Sequence, residues 1–301
     1  MEQNTNLQAP VSLGESELKK RKPFRDFWRR FRKNKTAVAG LLFIFTLSLM
    51  AIFADFIRDY ETYVIAMNAD LRLNAPSAAH IFGNDAFGRD VFARIIFGAR
   101  VSLTIGLICV SIAMLVGGTV GALAGYIGGI VDVIVMRITE MFSCIPGILL
   151  ALAIVAALGQ NMRNLVIAMT IAAAPAFARI TRALVLPVAG QDFVEAARAC
   201  GTKMPRIIWR HVAPNIMGPM IVQGTMAIAS VIISAAGLSF IGMGIQPPTP
   251  EWGAMLADGN LHIRTSPHLV VFPGLAIVLS ALSFNLIGDG LRDALDPRLK
   301  N

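Results

Sequence analysis

The feature that most constrains this chain is a series of long apolar runs separated by short clusters of charge. Residues 101–126 and 216–244 contain no charged side chain, and about 20 apolar residues suffice to cross the ~30 Å hydrocarbon core of a bilayer. Only 15% of the 301 residues are charged, whereas a soluble domain has about 25%. The sequence therefore predicts an all-α integral membrane protein with several transmembrane helices.

The apolar runs predict six crossings. The third is entered through an amphipathic stretch that carries Asp132, Arg137 and Glu140, and Pro175 is expected to kink the fourth. The predicted spans lie near residues 36–57, 101–126, 128–158, 165–186, 214–244 and 269–287. The predicted organisation is a basic N-terminal region (1–35), a first transmembrane helix (36–57), an outer loop (58–97), a membrane domain (98–290) and a tail (291–301).

Basic residues crowd the region before the first span, between residues 19 and 35. Such a block next to a transmembrane helix predicts a cytoplasmic N-terminus, and six crossings return the C-terminus to the same side. The net charge of +8 could suggest nucleic acid as a partner, but this distribution argues for a topology signal instead. Phe24, Phe27, Trp28 and Phe31 share one helical face, which predicts a short helix lying on membrane lipid. A solvated basic tail is the alternative.

The chain offers no recognisable catalytic set, metal site or nucleotide-binding loop. Its three cysteines and four histidines lack ligand spacing, and its glycine-rich stretch at residues 117–129 has no lysine for a phosphate loop. The spans at residues 101–125, 165–177 and 216–244 also lack ionisable groups. Ion-coupled carriers usually keep such groups near the bilayer midplane, so the driving force is expected to come from outside the spans.

Two further patterns have a structural and a functional interpretation. Gly117, Gly121 and Gly125 repeat every four residues, which predicts a smooth stripe for close helix packing; glycine is also simply frequent in membrane helices. The outer segment holds the charged residues Asp85, Arg89, Asp90, Arg94 and Arg100. We expect these to pair with one another and tie the outer loops together, the alternative being a contact with a binding protein or a place in the outer gate.

The most informative polar stretch is the bracket segment, residues 191–215, between the fourth and fifth spans. Gly201 suits the left-handed position that ends a helix, Thr202 is a good N-cap, and Pro205 fits a first turn. Pro214 is expected to end the second helix before the membrane. The basic residues of this segment place it in the cytoplasm. These residues are compatible with two interpretations of the bracket segment: a rigid lever that contacts a partner, or an ordinary folded loop.

The sequence of the bracket segment resembles a known family. "EAARACGTKMPRIIWRHVAP" is similar to the EAA signature of membrane subunits of ABC-type importers, with Glu195, Ala196, Ala197, Gly201 and Pro214 at the family spacing and Ala213 in place of the usual leucine. "FGNDAFGRDVFARIIFGARVSL", "LSFIGMGIQPPTPEWGAMLADG" and "FPGLAIVLSALSFNLIGDGLRDALDPRLK" resemble the peptide/nickel branch, specifically its second-permease type.

This resemblance implies a type I ABC importer permease in a bacterial inner membrane, with both termini cytoplasmic. It implies that the loop 187–213 carries a coupling helix that docks on a cytoplasmic ATPase subunit. The implied partners are a second, related permease, two ATPase subunits that use ATP and Mg, and a substrate-binding protein, with no cofactor bound by this chain. The implied cargo is a di- or oligopeptide. Alternatives are nickel or another small solute, an ion-coupled carrier, or a membrane scaffold that moves no solute.

Overall fold

The computed structural model describes residues 23–295, so the basic residues 19–22 and the tail residues 296–301 lie outside the described range. Within it the regular structure is helical, apart from one isolated bridge between Asn84 and Asp90. The first six α-helices are α1 (Pro23–Phe31), α2 (Lys35–Ile52), α3 (Ala54–Ile57), α4 (Val91–Ile127), α5 (Gly129–Ser143) and α6 (Gly147–Leu158). The next six are α7 (Met162–Ala189), α8 (Asp192–Ala199), α9 (Met204–Ile207), α10 (Ala213–Phe240), α11 (Trp252–Asn260) and α12 (His268–Leu295).

Five helical segments are long and apolar enough to cross a membrane: α2, α4, α7, the continuous helix Met204–Phe240, and α12. The pair α5 and α6 makes a sixth if it is counted as one span, and its two helices meet at 82°. Pro146 stands at this bend, where its missing N–H cannot continue α5. The predicted amphipathic entry is thus α5, and the apolar part of the third span is the 12-residue α6.

Two helices extend beyond the boundaries predicted for their spans. Helix α4 begins at Val91 rather than near residue 101, so the outer loop ends at residue 90 instead of 97. The reason is a cap: the Asp90 carboxylate accepts the Ala93 N–H at 2.8 Å. At the other end of the chain, α12 continues to Leu295, past the predicted end at residue 287 and through the predicted tail boundary at 291.

Helix contacts give the direction of each span. A Cβ on Gly125 would lie 3.1 Å from the Arg182 carbonyl oxygen, where α4 and α7 run side by side in parallel. Gly218 faces Leu295, so α10 and α12 are antiparallel. The bracket segment, the end of α12 and the start of α2 consequently share one end of the molecule, here called the bracket end. The loop of residues 58–90 lies at the opposite end, called the cap end.

The N-terminal helix α1 packs against the protein as well as facing outward. Phe31 is 2% exposed and contacts the notch at Gly290, where an added Cβ would lie 3.0 Å from its ring. Trp28 remains 41% exposed. The prediction of one aromatic face lying in lipid was therefore wrong for Phe31, because a glycine on α12 leaves room for its ring. The side chain of Phe24 lies outside the described residues.

Candidate functional site

The bracket segment turns sharply at Gly201. The end of α8 is closed by two backbone hydrogen bonds, from Gly201 N–H to the Arg198 carbonyl at 2.9 Å and from Thr202 N–H to the Ala197 carbonyl at 3.1 Å. This pair of bonds is the Schellman motif, which requires a left-handed residue between helix and turn. Gly201 has φ +75°, as the sequence predicted.

The second half of the bracket segment differs from the prediction. The residue that precedes α9 is Lys203, without a side-chain cap, so Thr202 is not the N-cap. Pro205 does lie in the first turn. Pro214 does not end a helix: a π-helical turn at Ile208–Val212 joins α9 to α10, and Pro214 occupies the first turn of α10. The preceding π-helical turn ends with the Ala213 N–H donating to the Ile208 carbonyl, and it lets the helix continue through Pro214.

The exposed face of α8 is now defined. Val194 is fully buried and Ala197 packs half-buried on the core. The Arg198 guanidinium lies 5.4 Å from the ring centre of Tyr126, at the end of α4. The solvent-facing residues are Asp192, Phe193, Glu195, Ala196 and Ala199. Glu195 and Ala196 are therefore available to a partner, whereas Ala197 packs half-buried on the chain itself.

One ion pair and one hydrogen bond join α5 to α7. Arg182 forms a two-point ion pair with Asp132, and Arg179 donates to the Ser143 hydroxyl. Sequence patterns identified these side chains as polar but gave no signal of which would pair, since about 50 residues separate Asp132 from Arg182. These contacts hold the second half of α7, which leads into α8, against α5.

The three stripe glycines on α4 all face α7. A Cβ on Gly117 would lie 3.0 Å from the Phe177 Cβ, and one on Gly121 would lie 2.9 Å from the Ala178 Cα. Such distances leave no space for a side chain, so these glycines permit backbone contact between the two helices. They form a packing seam and present no group to a ligand.

The cap end contains a buried cluster of charge. Arg89 Nε lies 2.7 Å from the Asp85 carboxylate, Arg94 Nε lies 3.5 Å from the same group, and Arg89 reaches Asp258 at 3.9 Å. The Arg89 and Arg94 side chains are 3% and 4% exposed. These residues satisfy one another inside the protein, which supports the structural interpretation of the outer charges over a docking role.

Arg100 and Asp90 pair outside this cluster, so the prediction that the five outer charges pair with one another was wrong for these two. Arg100 donates to the carbonyls of Ala51 and Ile52 and pairs with Asp55 at 3.0 Å. It thereby satisfies carbonyl groups that the end of α2 leaves without intrahelical partners. The Asp90 carboxylate lies 2.7 Å from His80 Nδ1.

Sequence reasoning missed α11 and the two buried residues that position it. Glu251 is 1% exposed, and its carboxylate accepts the N–H groups of Gly253 and Ala254 at 3.0 and 2.9 Å. Burial raises the pKa of Glu251 above its ordinary value. Trp252 is fully buried, and its indole N–H donates to the Ile95 carbonyl at 3.0 Å. In the sequence, Glu251 stands directly before an apolar run, a pattern that favours the start of a helix. The prolines just before it favour an extended loop instead.

Two parts of the chain match models of known protein families. Residues 117–301 match the family described as binding-protein-dependent transport system inner membrane component. Residues 22–76 match the N-terminal TM domain of oligopeptide transport permease C.

Individual relatives match over nearly the whole chain. The chain is 44% identical to the dipeptide transport system permease protein DppC of Alkalihalophilus pseudofirmus, over 93% of this chain and 91% of that protein. It is 47% identical to the glutathione transport system permease protein GsiD of Escherichia coli, over 93% and 92%. In fold it is similar to a chain of the MetNI methionine ABC transporter in an inward-facing conformation. The TM-score is 0.57 at 18% identity, covering 67% of this chain and 97% of that one.

Proposed function

The chain belongs to the family of binding-protein-dependent transport system inner membrane components, and on that premise we propose that it forms half of the pathway of an ATP-driven peptide importer. It is a multi-pass inner membrane permease. Relatives that match 93% of the chain are named for dipeptide and glutathione transport. Both kinds of cargo consist of amide-linked amino acids, which supports a short peptide over a metal complex as the substrate.

The observation that carries this proposal is the exposed face of α8. It stands on a rigid connection: α7 precedes it, Gly201 closes it, and the 37-residue helix Met204–Phe240 follows it. A partner that moves α8 would therefore move a membrane-spanning helix directly. In the proposed mechanism, ATP binding closes two cytoplasmic ATPase subunits and the coupling helix α8 follows them, so that the spans open outward; hydrolysis resets the inward-facing state.

The proposed assembly contains a second, related permease, the two ATPase subunits and a substrate-binding protein. ATP and Mg belong to the ATPase subunits, and this chain is proposed to have no catalytic activity and to bind no cofactor. The bracket end, with both chain termini, is proposed to face the cytoplasm. The absence of ionisable residues at 216–244 and 165–177 supports an external motor, because a proton relay requires such groups.

The docking face can be tested by adding bulk to it. Ala196 is exposed on α8, so Ala196→Trp should leave the fold intact while overlapping any subunit seated on this face. We expect loss of ATPase co-purification and of ATP-driven uptake. The matched control is Ala79→Trp, an exposed alanine at the cap end, which should retain the ATPase subunits. Co-purification of the ATPase subunits with the Ala196→Trp protein at normal stoichiometry would place the docking surface elsewhere.

An ion-coupled carrier is distinguished by its energy source. The complete complex is reconstituted in vesicles with its loaded binding protein, and peptide uptake is measured with ATP supplied to the ATPase subunits and with an uncoupler present. The importer predicts uptake that requires ATP and survives the uncoupler. Uptake by this chain alone that stops on addition of the uncoupler would support the carrier instead.

A further inference from the structure

A cavity of about 600 Å³ opens between α7, α10 and α12. Its walls are mostly small or apolar, including Ala173, Ala176 and Ala227. Three uncharged polar side chains interrupt this surface: Gln223 and Ser230 on α10, and Asn285 on α12. Its volume falls in the range of about 300–1,000 Å³ that is typical of sites for small molecules.

The three polar residues lie in the middle third of their helices, α10 and α12. Gln223 and Ser230 are seven residues apart, so they lie on the same face of α10. At a rise of 1.5 Å per residue, Gln223 lies about 15 Å from the start of α10, and Asn285 lies about 15 Å from the end of α12. The contacts of Gly218 with Leu295 and of Gly288 with Met226 set the register of these antiparallel helices. This register places Asn285 close to the level of Ser230 and about 9 Å along the axis from Gln223.

Within residues 23–295, none of these three side chains forms a hydrogen bond with another residue. Ser230 and Asn285 are exposed at the surface of the chain, and Gln223 is half-buried. Other polar residues of the same spans do find partners; Thr225, for example, donates to the Ile221 carbonyl at 2.9 Å. An amide facing hydrocarbon without a partner costs several kcal/mol. This face therefore meets water, a ligand or another protein rather than lipid.

We propose that Gln223, Ser230 and Asn285 line the transport pathway and hydrogen-bond the backbone of the passing peptide. This inference rests on the proposed function. Carboxamide and hydroxyl groups both donate and accept, which matches the N–H and C=O groups present in every peptide whatever its side chains. The absence of charge in the cavity allows weak contacts that let the cargo leave as well as enter. The competing role, pairing with the second permease across an interface, is an outcome of the tests below.

Accessibility is tested by cysteine labelling in the full transporter. The exposed native thiols are removed by Cys144→Ser and Cys200→Ser, while Cys109 is fully buried and stays. Single cysteines are then placed at Gln223, Ser230 and Asn285, and a charged, water-soluble thiol reagent is added with and without a transported dipeptide.

The matched control is Ile221→Cys. Ile221 is 42% exposed but lies two residues from Gln223, on the opposite face of α10. We expect the three pathway cysteines to react at least 10-fold faster than this control and to be protected by the dipeptide. Labelling no faster than at Ile221, or labelling that the dipeptide leaves unchanged, would overturn the proposal.

Function is tested with Gln223→Leu and Asn285→Leu, which keep volume and remove hydrogen bonding. One lost hydrogen bond should lower the maximal peptide uptake rate about 2- to 10-fold, and Asn285→Gln should restore much of it. Loss of the second permease during purification of the leucine variants would instead assign these residues to the interface. If the unmodified complex shows no ATP-driven peptide uptake, the proposed function fails; if it does and the variants match it, only the pathway assignment fails.

Discussion

Adding one methyl group at Gly121 should separate two helices that now touch. A Cβ at this position would lie 2.9 Å from the Ala178 Cα and 2.8 Å from its carbonyl carbon, whereas ordinary contacts begin near 3.4 Å. Both atoms belong to the backbone of α7, so no side-chain rotation can relieve the overlap. Helices α4 and α7 would have to move apart by at least about half an ångström along the seam that Gly117 and Gly125 continue.

The size of the effect follows from packing. Overfilling a well-packed interior typically costs about 1–3 kcal/mol, so Gly121→Ala should reduce stability by that amount. Gly118→Ala is the matched control, because a Cβ there would meet only the ends of Met220 and Thr181 at 3.6 Å. Both substitutions change helix propensity equally, so that contribution cancels in the comparison.

The measurement is the melting temperature of the purified complex in detergent. Melting is monitored as the loss of the monodisperse elution peak after heating. A cost of 1–3 kcal/mol corresponds to a melting temperature about 2–12 °C lower for Gly121→Ala than for Gly118→Ala, by the scaling for domains of about 200 residues. Gly118→Ala itself should melt no lower than the unmodified protein, because alanine favours the helix. Equal melting temperatures for the two variants would refute the argument that the seam is closed by backbone contact.

Two other predictions concern the bracket segment and the cap. Gly201→Val should cost about 1–3 kcal/mol of stability and impair coupled uptake, because valine is strained at φ +75°. The control is Gly190→Val, where φ is −92° and the surrounding space is equally open. This variant should show normal uptake in the same assay. Burial raises the pKa of Glu251 above 4.5, so the stability related to this group is full below pH 4.5 and falls as the pH rises toward the raised pKa. Glu251→Gln should remove that slope from melting temperatures measured between about pH 4 and 8, and an unchanged slope would contradict this account.

Features governed by nearby residues could be predicted from the sequence. A membrane span needs only length and the absence of charge, which explains why the six predicted crossings correspond to the long helices and the bent pair. Gly201 was predictable because a left-handed helix end penalises any side chain. The pairing of Asp85 with Arg89 could also be predicted, because the two residues are only four positions apart in the sequence.

Features that depend on distant partners could not be predicted. The sequence of α8 does not show which of its alanines is covered; only its packing on the core shows that Ala197 is half-buried and Ala196 exposed. Pro214 is a helix breaker by propensity, yet the preceding π turn allows the helix to continue through it. A carboxylate is usually exposed; that of Glu251 is buried because α11 supplies two N–H groups to it.

The two proposals meet in a single helix. Met204–Phe240 begins at the bracket segment and carries Gln223 and Ser230 about 28 and 39 Å along its length, at 1.5 Å per residue. Because backbone hydrogen bonds make such a helix stiff, a partner acting on α8 would displace these two residues without any further relay. The π turn at Ile208–Val212 and Pro219 both interrupt the regular backbone hydrogen bonds of this helix, so these are the places where bending would absorb the motion. In the proposed mechanism, the stiffness of the helix at the π turn and at Pro219 therefore decides how much of the movement of α8 reaches Gln223 and Ser230.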